Sequence, residues 1–238
     1  MPDEALTFPE LFDRFENSAG EQVSRHLMGL KTVARIVGTN SKELREALVD
    51  LNRPELLLRL WRNENRELLC EYHREVIRLL HNYLAAVATY RDHTRAFVRR
   101  FHAAGPFSEE YSRRAALIFK RSEVGAFIMD LRNYTLHKGV PASDMVLTVQ
   151  HPRDGGRAEN SVVLSLGVLR AWTKWTSLAK SFLAAQTEDV NLLSVINQYD
   201  SLLQQFYTWF GSRLEVLHAE HFAEAERLHR QLVQMSTR

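Results

Sequence analysis

The residues best suited to chemistry lie in one stretch, Asp130-Leu131-Arg132-Asn133-Tyr134-Thr135-Leu136-His137-Lys138-Gly139-Val140-Pro141. On a helix turning ~100° per residue, Asp130, Asn133 and His137 fall within roughly 60° of one another. A carboxylate, an amide and an imidazole then share one strip. Arg132 lies round the side, with a stem long enough to reach back. Gly139 and Pro141 stop the helix just beyond, because glycine accepts the left-handed cap and proline cannot continue a helix. An imidazole titrates near neutral pH and can take or give a proton in a reaction. A guanidinium beside it can stabilise charge building on a phosphate. The same residue types also suit a structural role, in which Arg, Asn and His cap the last carbonyls and hold the following loop.

Other chemistry-bearing residues are few. The chain has no GxxxxGK phosphate loop, GxGxxG, HExxH or GxSxG. His218 and His221, three apart, can share a helix face as metal ligands do, but the nearby Glu220 and Glu224 are what any solvated helix carries. No metal or other cofactor is therefore expected. Cys70 lies among apolar residues with no basic partner, and reads as a small buried hydrophobe. Phe206, Tyr207, Trp209 and Phe210 read as core or as a dimer seam. Between Arg91 and Arg121 there are eight Arg or Lys against three Asp or Glu. Arg91, Arg95, Arg99 and His102 run along one helix face, as a stripe tracking phosphates would. A solvated helix face would look the same.

The motif Arg132-Asn133, three residues, then His137 resembles the R-N/H-xxx-H motif of the HEPN superfamily. Its members are all-helical domains, many of them metal-independent ribonucleases in RNA-targeting defence, toxin–antitoxin and RNA-processing systems. The match covers about six residues of motif in a helical context of perhaps 100 residues. The chain departs from the family in being larger than a minimal HEPN domain and in carrying a hairpin directly after the motif. The resemblance implies a homodimer with two motifs facing across a groove, and cleavage of RNA to a 2′,3′-cyclic phosphate. It implies that His137 is general base or acid, that Arg132 binds the scissile phosphate, and that Asn133 orients one or the other. Lys138 would line the groove; Tyr134 reads as packing. Asp130, Lys138, Arg91, Arg95 and Arg99 are the expected substrate contacts. The expected partners are RNA, a second copy, and an antitoxin or regulatory protein. Some members have lost activity, so a non-catalytic helical interaction or scaffold module is the alternative.

The elements that must position these residues are mainly helical. Ten Gly and six Pro in 238 residues argue against a protein built of many tight turns. The expected architecture is a multi-helix bundle with long antiparallel helices and one β-hairpin at about 144–166, forming a single domain over 1–238. Phe8–Asn17, Gln22–Val37 and Ser41–Leu51 read as helices, with Gly38 closing the second and Ser41 capping the third. From Pro54 to Ala104 nothing breaks the helical pattern. Such a run would span ~77 Å, against a radius of gyration of ~18 Å for a domain of this size. It must bend, divide or project, and the weakest points are Arg62–Glu67 and Tyr90–Thr94. Ser108 to about His137 reads as one helix. The β-branched stretches Met145–Val149 and Ser161–Leu166, separated by an Asp154-Gly155-Gly156 turn signal, read as the hairpin. Val168–Ala185 and Asp189 to about Met235 return to helix, the latter interrupted only at Gly211.

The formal charge of +2 does not by itself imply a polyanion partner. Of 31 basic residues 25 are Arg, which suits bidentate phosphate contacts but also follows from genomic base composition. One cysteine excludes an internal disulfide and multi-cysteine zinc sites. The acidic N-terminal stretch lacks a signal-peptide pattern, and no apolar run reaches the ~20 residues needed to cross a bilayer. A reducing, cytoplasmic location without membrane contact is expected.

Overall fold

The first helix, α1 (Phe8–Glu16), starts from a capping box in which Thr7 and Glu10 satisfy each other's orphan groups. The computed structural model describes residues 6–150 and 158–237; among them are ten α-helices and a small three-stranded antiparallel sheet. The fold is mainly α, as expected.

Helix α2 (Ala19–Asp50) is a single helix of 32 residues, not the two expected. Its buried stripe of Val23, Leu30, Val33 and Val37 continues through Ser41, Leu44 and Leu48. A mid-helix glycine costs about 1 kcal/mol relative to Ala, whereas each buried aliphatic contributes about 1.5–3 kcal/mol. The stripe therefore carries the helix through Gly38. Ser41 does not cap; its hydroxyl donates to Asp200. The next run divides at the first anticipated weak point, into α3 (Pro54–Leu60), a 3₁₀ turn (Asn63–Asn65) and α4 (Arg66–Phe101). Tyr90–Thr94 stays helical because Tyr90 and Thr94 are buried and Thr94 is bonded to the Tyr111 hydroxyl at 3.0 Å.

The expected helix from Ser108 is two helices, α5 (Pro106–Phe119) and α6 (Glu123–His137). Ser122 caps the second, accepting from the Gly125 amide at 3.0 Å. The hairpin forms from β1 (Ser143–Val149) and β2 (Ala158–Leu164), with Ser143 opposite Leu164 and Val149 opposite Ala158. The connecting turn expected at Asp154-Gly155-Gly156 lies outside the described residues. A two-residue strand, β3 (Val190–Asn191), pairs with β2 and is too short to leave a periodic signal. The expected helix at Val168–Ala185 divides into α7 (Leu166–Ala171) and α8 (Ser177–Ala184). The last run breaks at His218 rather than Gly211, giving α9 (Leu192–Leu217) and α10 (Ala219–Ser236).

Paired contacts set the helix directions. The Tyr72 hydroxyl donates to the Ala47 carbonyl at 2.8 Å and the His26 ring meets Phe101, so α2 and α4 are antiparallel. Tyr83 donates to Asp200 at 2.7 Å, and His102 meets His218, so α4 and α9 run parallel. Arg91 reaches the Met129 sulfur at 3.3 Å, and His73 bonds Ser143, in β1 just beyond α6, at 3.0 Å; so short a connection leaves α6 antiparallel to α4. Fully buried Leu44, Leu84, Phe127, Leu131 and Ile196 join these helices in one core. Phe206 and Phe210 belong to it, packed on Tyr111. Among the described residues no helix is long and apolar enough to cross a membrane.

Candidate functional site

Helix α6 is buried all round over residues 125–131 and emerges only at its end. Phe127 stacks on Phe182 at 4.5 Å and on Trp175 at 5.5 Å. Tyr134, buried as expected of a packing residue, stacks on Trp175 at 5.9 Å and meets the edge of Trp172 at 5.2 Å. Asp130 belongs to this buried part. Its Oδ2 accepts from the Thr176 amide at 2.7 Å and the Thr176 hydroxyl at 2.8 Å, tying α6 to the start of α8. A buried carboxylate needs such donors, and Thr176 supplies two. Asp130 thus stands apart from the exposed polar strip on which helical spacing placed it. Asp130→Ala is expected to cost about 2–3 kcal/mol, the value of hydrogen bonds to a charged group, read as a lower urea midpoint.

The last two turns of α6, where it leaves the core, carry the remaining motif residues. Arg132 and Asn133 are half-buried, while His137 and Lys138 are exposed. Arg132 Nη1 lies 3.4 Å from Asn133 Oδ1, so the amide steadies the guanidinium. The Lys138 and Gly139 amides both donate to the Tyr134 carbonyl, at 2.8 and 3.2 Å. Gly139 has φ 122°, a conformation open to glycine, and it turns the chain away directly after the motif. His137 is left at the rim of the helix end, flanked by Leu136 and Val140, which are 51% and 70% exposed.

The arginine stripe on α4 divides. Arg91 is half-buried and pairs with Asp92 at 3.0 Å, and Arg95 reaches the same carboxylate at 3.5 Å. Arg99 is exposed and opens onto a cleft of about 680 Å³ between α2 and α4. His102 leaves the stripe, its Nε2 meeting His218 Nε2 at 3.0 Å. Around Arg99 stand Arg25, His26, His93 and Arg100, which sequence reasoning missed. Their signal is divided between two helices 70 residues apart, and only the antiparallel α2–α4 pairing brings it together.

The remaining candidates resolve physically. Cys70 is exposed, not buried as expected, since six residues back from the buried Val76 is about 120° round the helix. His218 directs Nε2 to His102 and Nδ1 to His221, the latter at 3.3 Å, so its nitrogens diverge. Among the described residues no group of three His, Cys, Asp or Glu could hold a metal ion. A cleft of about 1350 Å³ lies between α2 and α9 and includes Asp200 and Ser41. Asp200 accepts from both Ser41 and Tyr83, which makes the trio a satisfied structural network.

The histidine chain has a consequence for stability. His218 is buried at the junction of α9 and α10; burial, then the neighbouring His102 and His221, push its pKa down to about 4. Burial lowers His102 as well. In the unfolded chain histidine titrates near ~6.5. The folded protein thus keeps His218 neutral where the unfolded chain takes up a proton. Stability is complete above pH ~6.5 and falls as the pH drops towards 4, by up to ~1.4 kcal/mol per unit for this group. Urea melts at pH 7 and pH 5 are expected to show that loss, and His218→Leu should shrink it.

Compared with protein-family models, curated proteins and solved structures, the chain matches none.

Proposed function

We propose that this protein is a metal-independent endoribonuclease of HEPN type, acting in the cytoplasm as a homodimer. One observation carries the reading: Arg132, Asn133 and His137 stand in the last two turns of α6, where the helix emerges from the core, while residues 125–131 before them are buried. His137 is exposed and Arg132 half-buried, so a polyanion can reach both. The exposed Leu136 and Val140 beside His137 suit a seam with a second copy.

The reaction needs one base and one acid. His137 of one copy removes the ribose 2′-hydroxyl proton, and the 2′-oxygen attacks phosphorus. The bond from phosphorus to the 5′-oxygen breaks, and that oxygen takes a proton from the protonated imidazole of the second copy. The products are a 2′,3′-cyclic phosphate and a 5′-hydroxyl. Arg132 holds the non-bridging oxygens as charge builds on them, and Asn133 positions the guanidinium. Arg91, Arg95, Arg99 and Lys138 attract the flanking backbone. A toxin or defence role, restrained by an antitoxin or regulatory protein, fits such an activity.

The test is incubation with mixed RNA in excess EDTA. Fragments ending in a cyclic phosphate are the expected result. Intact RNA, with or without a second copy bound, overturns the reading and leaves a non-catalytic helical interaction module.

A further inference from the structure

We infer that the cleft between α2 and α4 is a separate RNA contact, which grips the phosphodiester backbone several nucleotides from the scissile bond. The inference rests on RNA being the ligand, and deepens that reading by adding a site the motif does not contain.

The cleft is built from Arg25, His26 and Gly29 of α2 facing His93, Arg99 and Arg100 of α4. No carboxylate lines it among the described residues. Arg25 is held in place by Glu16 and Glu21. Arg99 and Arg100 have no carboxylate partner among the described residues, and Arg100 lies over the Phe101 ring at 5.6 Å from its centroid. His26 Nδ1 lies 2.8 Å from the Gln22 carbonyl, which accepts from it, and the ring packs edge-on against Phe101. At Gly29 the space above the backbone is empty. The unpaired guanidiniums of Arg99 and Arg100 beside an open floor are the chemistry that takes phosphate oxygens.

The choice of a nucleic acid over an acidic peptide comes from what lies between cleft and motif. Arg95 and Arg91 continue from the cleft along α4, and Arg91 ends against Met129 of α6, the motif helix. Asp92 is the one acid shared by those two cations. Because α4 and α6 are antiparallel, His137 and Arg99 lie on opposite sides of the Arg91–Met129 contact. Eight residues each way at 1.5 Å separate them by about 24 Å along the axis. One phosphate cannot touch both; a strand of several nucleotides can. The cleft therefore governs affinity for long RNA and leaves short RNA to the motif.

The test uses the 238-residue chain carrying His137→Ala, so that RNA stays intact, with binding read by fluorescence anisotropy. The probes are labelled single-stranded RNAs of about 20 and about 4 nucleotides, with a polyglutamate peptide as control. Two variants are added separately: Arg99→Gln with Arg100→Gln, and Gly29→Glu. The second removes nothing, has open space around its Cβ, and replaces glycine with a better helix former. Both are expected to weaken the longer RNA about 10-fold or more and to leave the shorter one unchanged. The double variant should also flatten the salt dependence by about 1–1.5 in slope. Unchanged binding of the longer RNA, equal loss for the shorter one, or equal binding of polyglutamate each overturns the inference. Cleavage is scored separately on the parent chain. Cleft-dependent binding without cleavage defeats the nuclease reading and keeps this one; cleavage with cleft-independent binding does the reverse.

Discussion

Replacing His137 by alanine is expected to lower RNA cleavage by about 10²–10⁴-fold, the usual yield of a positioned acid or base, with no change in melting midpoint. The second half of that expectation follows from burial: His137 is exposed, and α6 is held by Phe127, Asp130, Leu131 and Tyr134. An effect on rate without an effect on folding separates a reacting group from a packing one. Arg132→Ala should cost about 10²–10³-fold, the range for losing one donor to a developing oxyanion. Arg132→Lys keeps the charge but loses the planar fork, and should recover only part of the rate. Asn133→Ala, which removes the amide beside Arg132 Nη1, should fall between the parent and Arg132→Ala. Single-turnover cleavage of a labelled RNA, beside thermal melts of each variant, reads all four. Parent-like cleavage by both His137→Ala and Arg132→Ala would remove the motif from the mechanism.

The largest stability effect is expected at Gly125. A Cβ there would sit 1.9 Å from the Ile118 carbonyl oxygen and 2.4 Å from Ser122 Oγ. The first obstacle is backbone at the end of α5, and the second is the cap of α6, so neither can swing aside as a flexible side chain would. Relief requires the α5–α6 turn to open, which disturbs the buried Ile118 and Phe119 on one side and Ala126 and Phe127 on the other. Gly125→Ala should therefore cost about 3–5 kcal/mol, in the tail reserved for overpacking and backbone strain. For a chain of this size that is a melting midpoint lower by about 6–10 °C. Ser122→Ala, which loses only the cap, should cost about 1 kcal/mol. Equal midpoints for Gly125→Ala and the parent would show that α5 and α6 do not depend on this close approach.

What was legible in the chain follows from how local each signal is. The hairpin strands, the short first helix and the stop at Gly139 are written within a few residues, and all appear. The motif spacing also survives, since helical geometry over eight residues needs no tertiary knowledge. Where helices begin and end in long runs was less legible. Gly38 looks like a stop but is overridden by the stripe from Val23 to Leu48, whereas His218, with no breaker beside it, ends α9 because its imidazole is drawn to His102 and His221. Asp130 shares a helical strip with Asn133 and His137, yet its carboxylate turns to Thr176, a partner 46 residues away that no periodicity announces. The cleft was invisible for the same reason: Arg25 and Arg100 acquire a common purpose only once α2 and α4 lie side by side.

The division of α6 into a buried beginning and an exposed end also bears on how this chain can change over generations. Its inner positions, Phe127, Asp130, Leu131 and Tyr134, are retained by the demands of folding whether or not the protein does anything. The imidazole at position 137 has no such protection, because nothing in the core depends on it. Genetic drift erodes an outward histidine once selection on its use lapses. Descendants that keep His137 while the exposed residues around it diverge would be reporting use, and descendants that keep only the inner row would be reporting a scaffold.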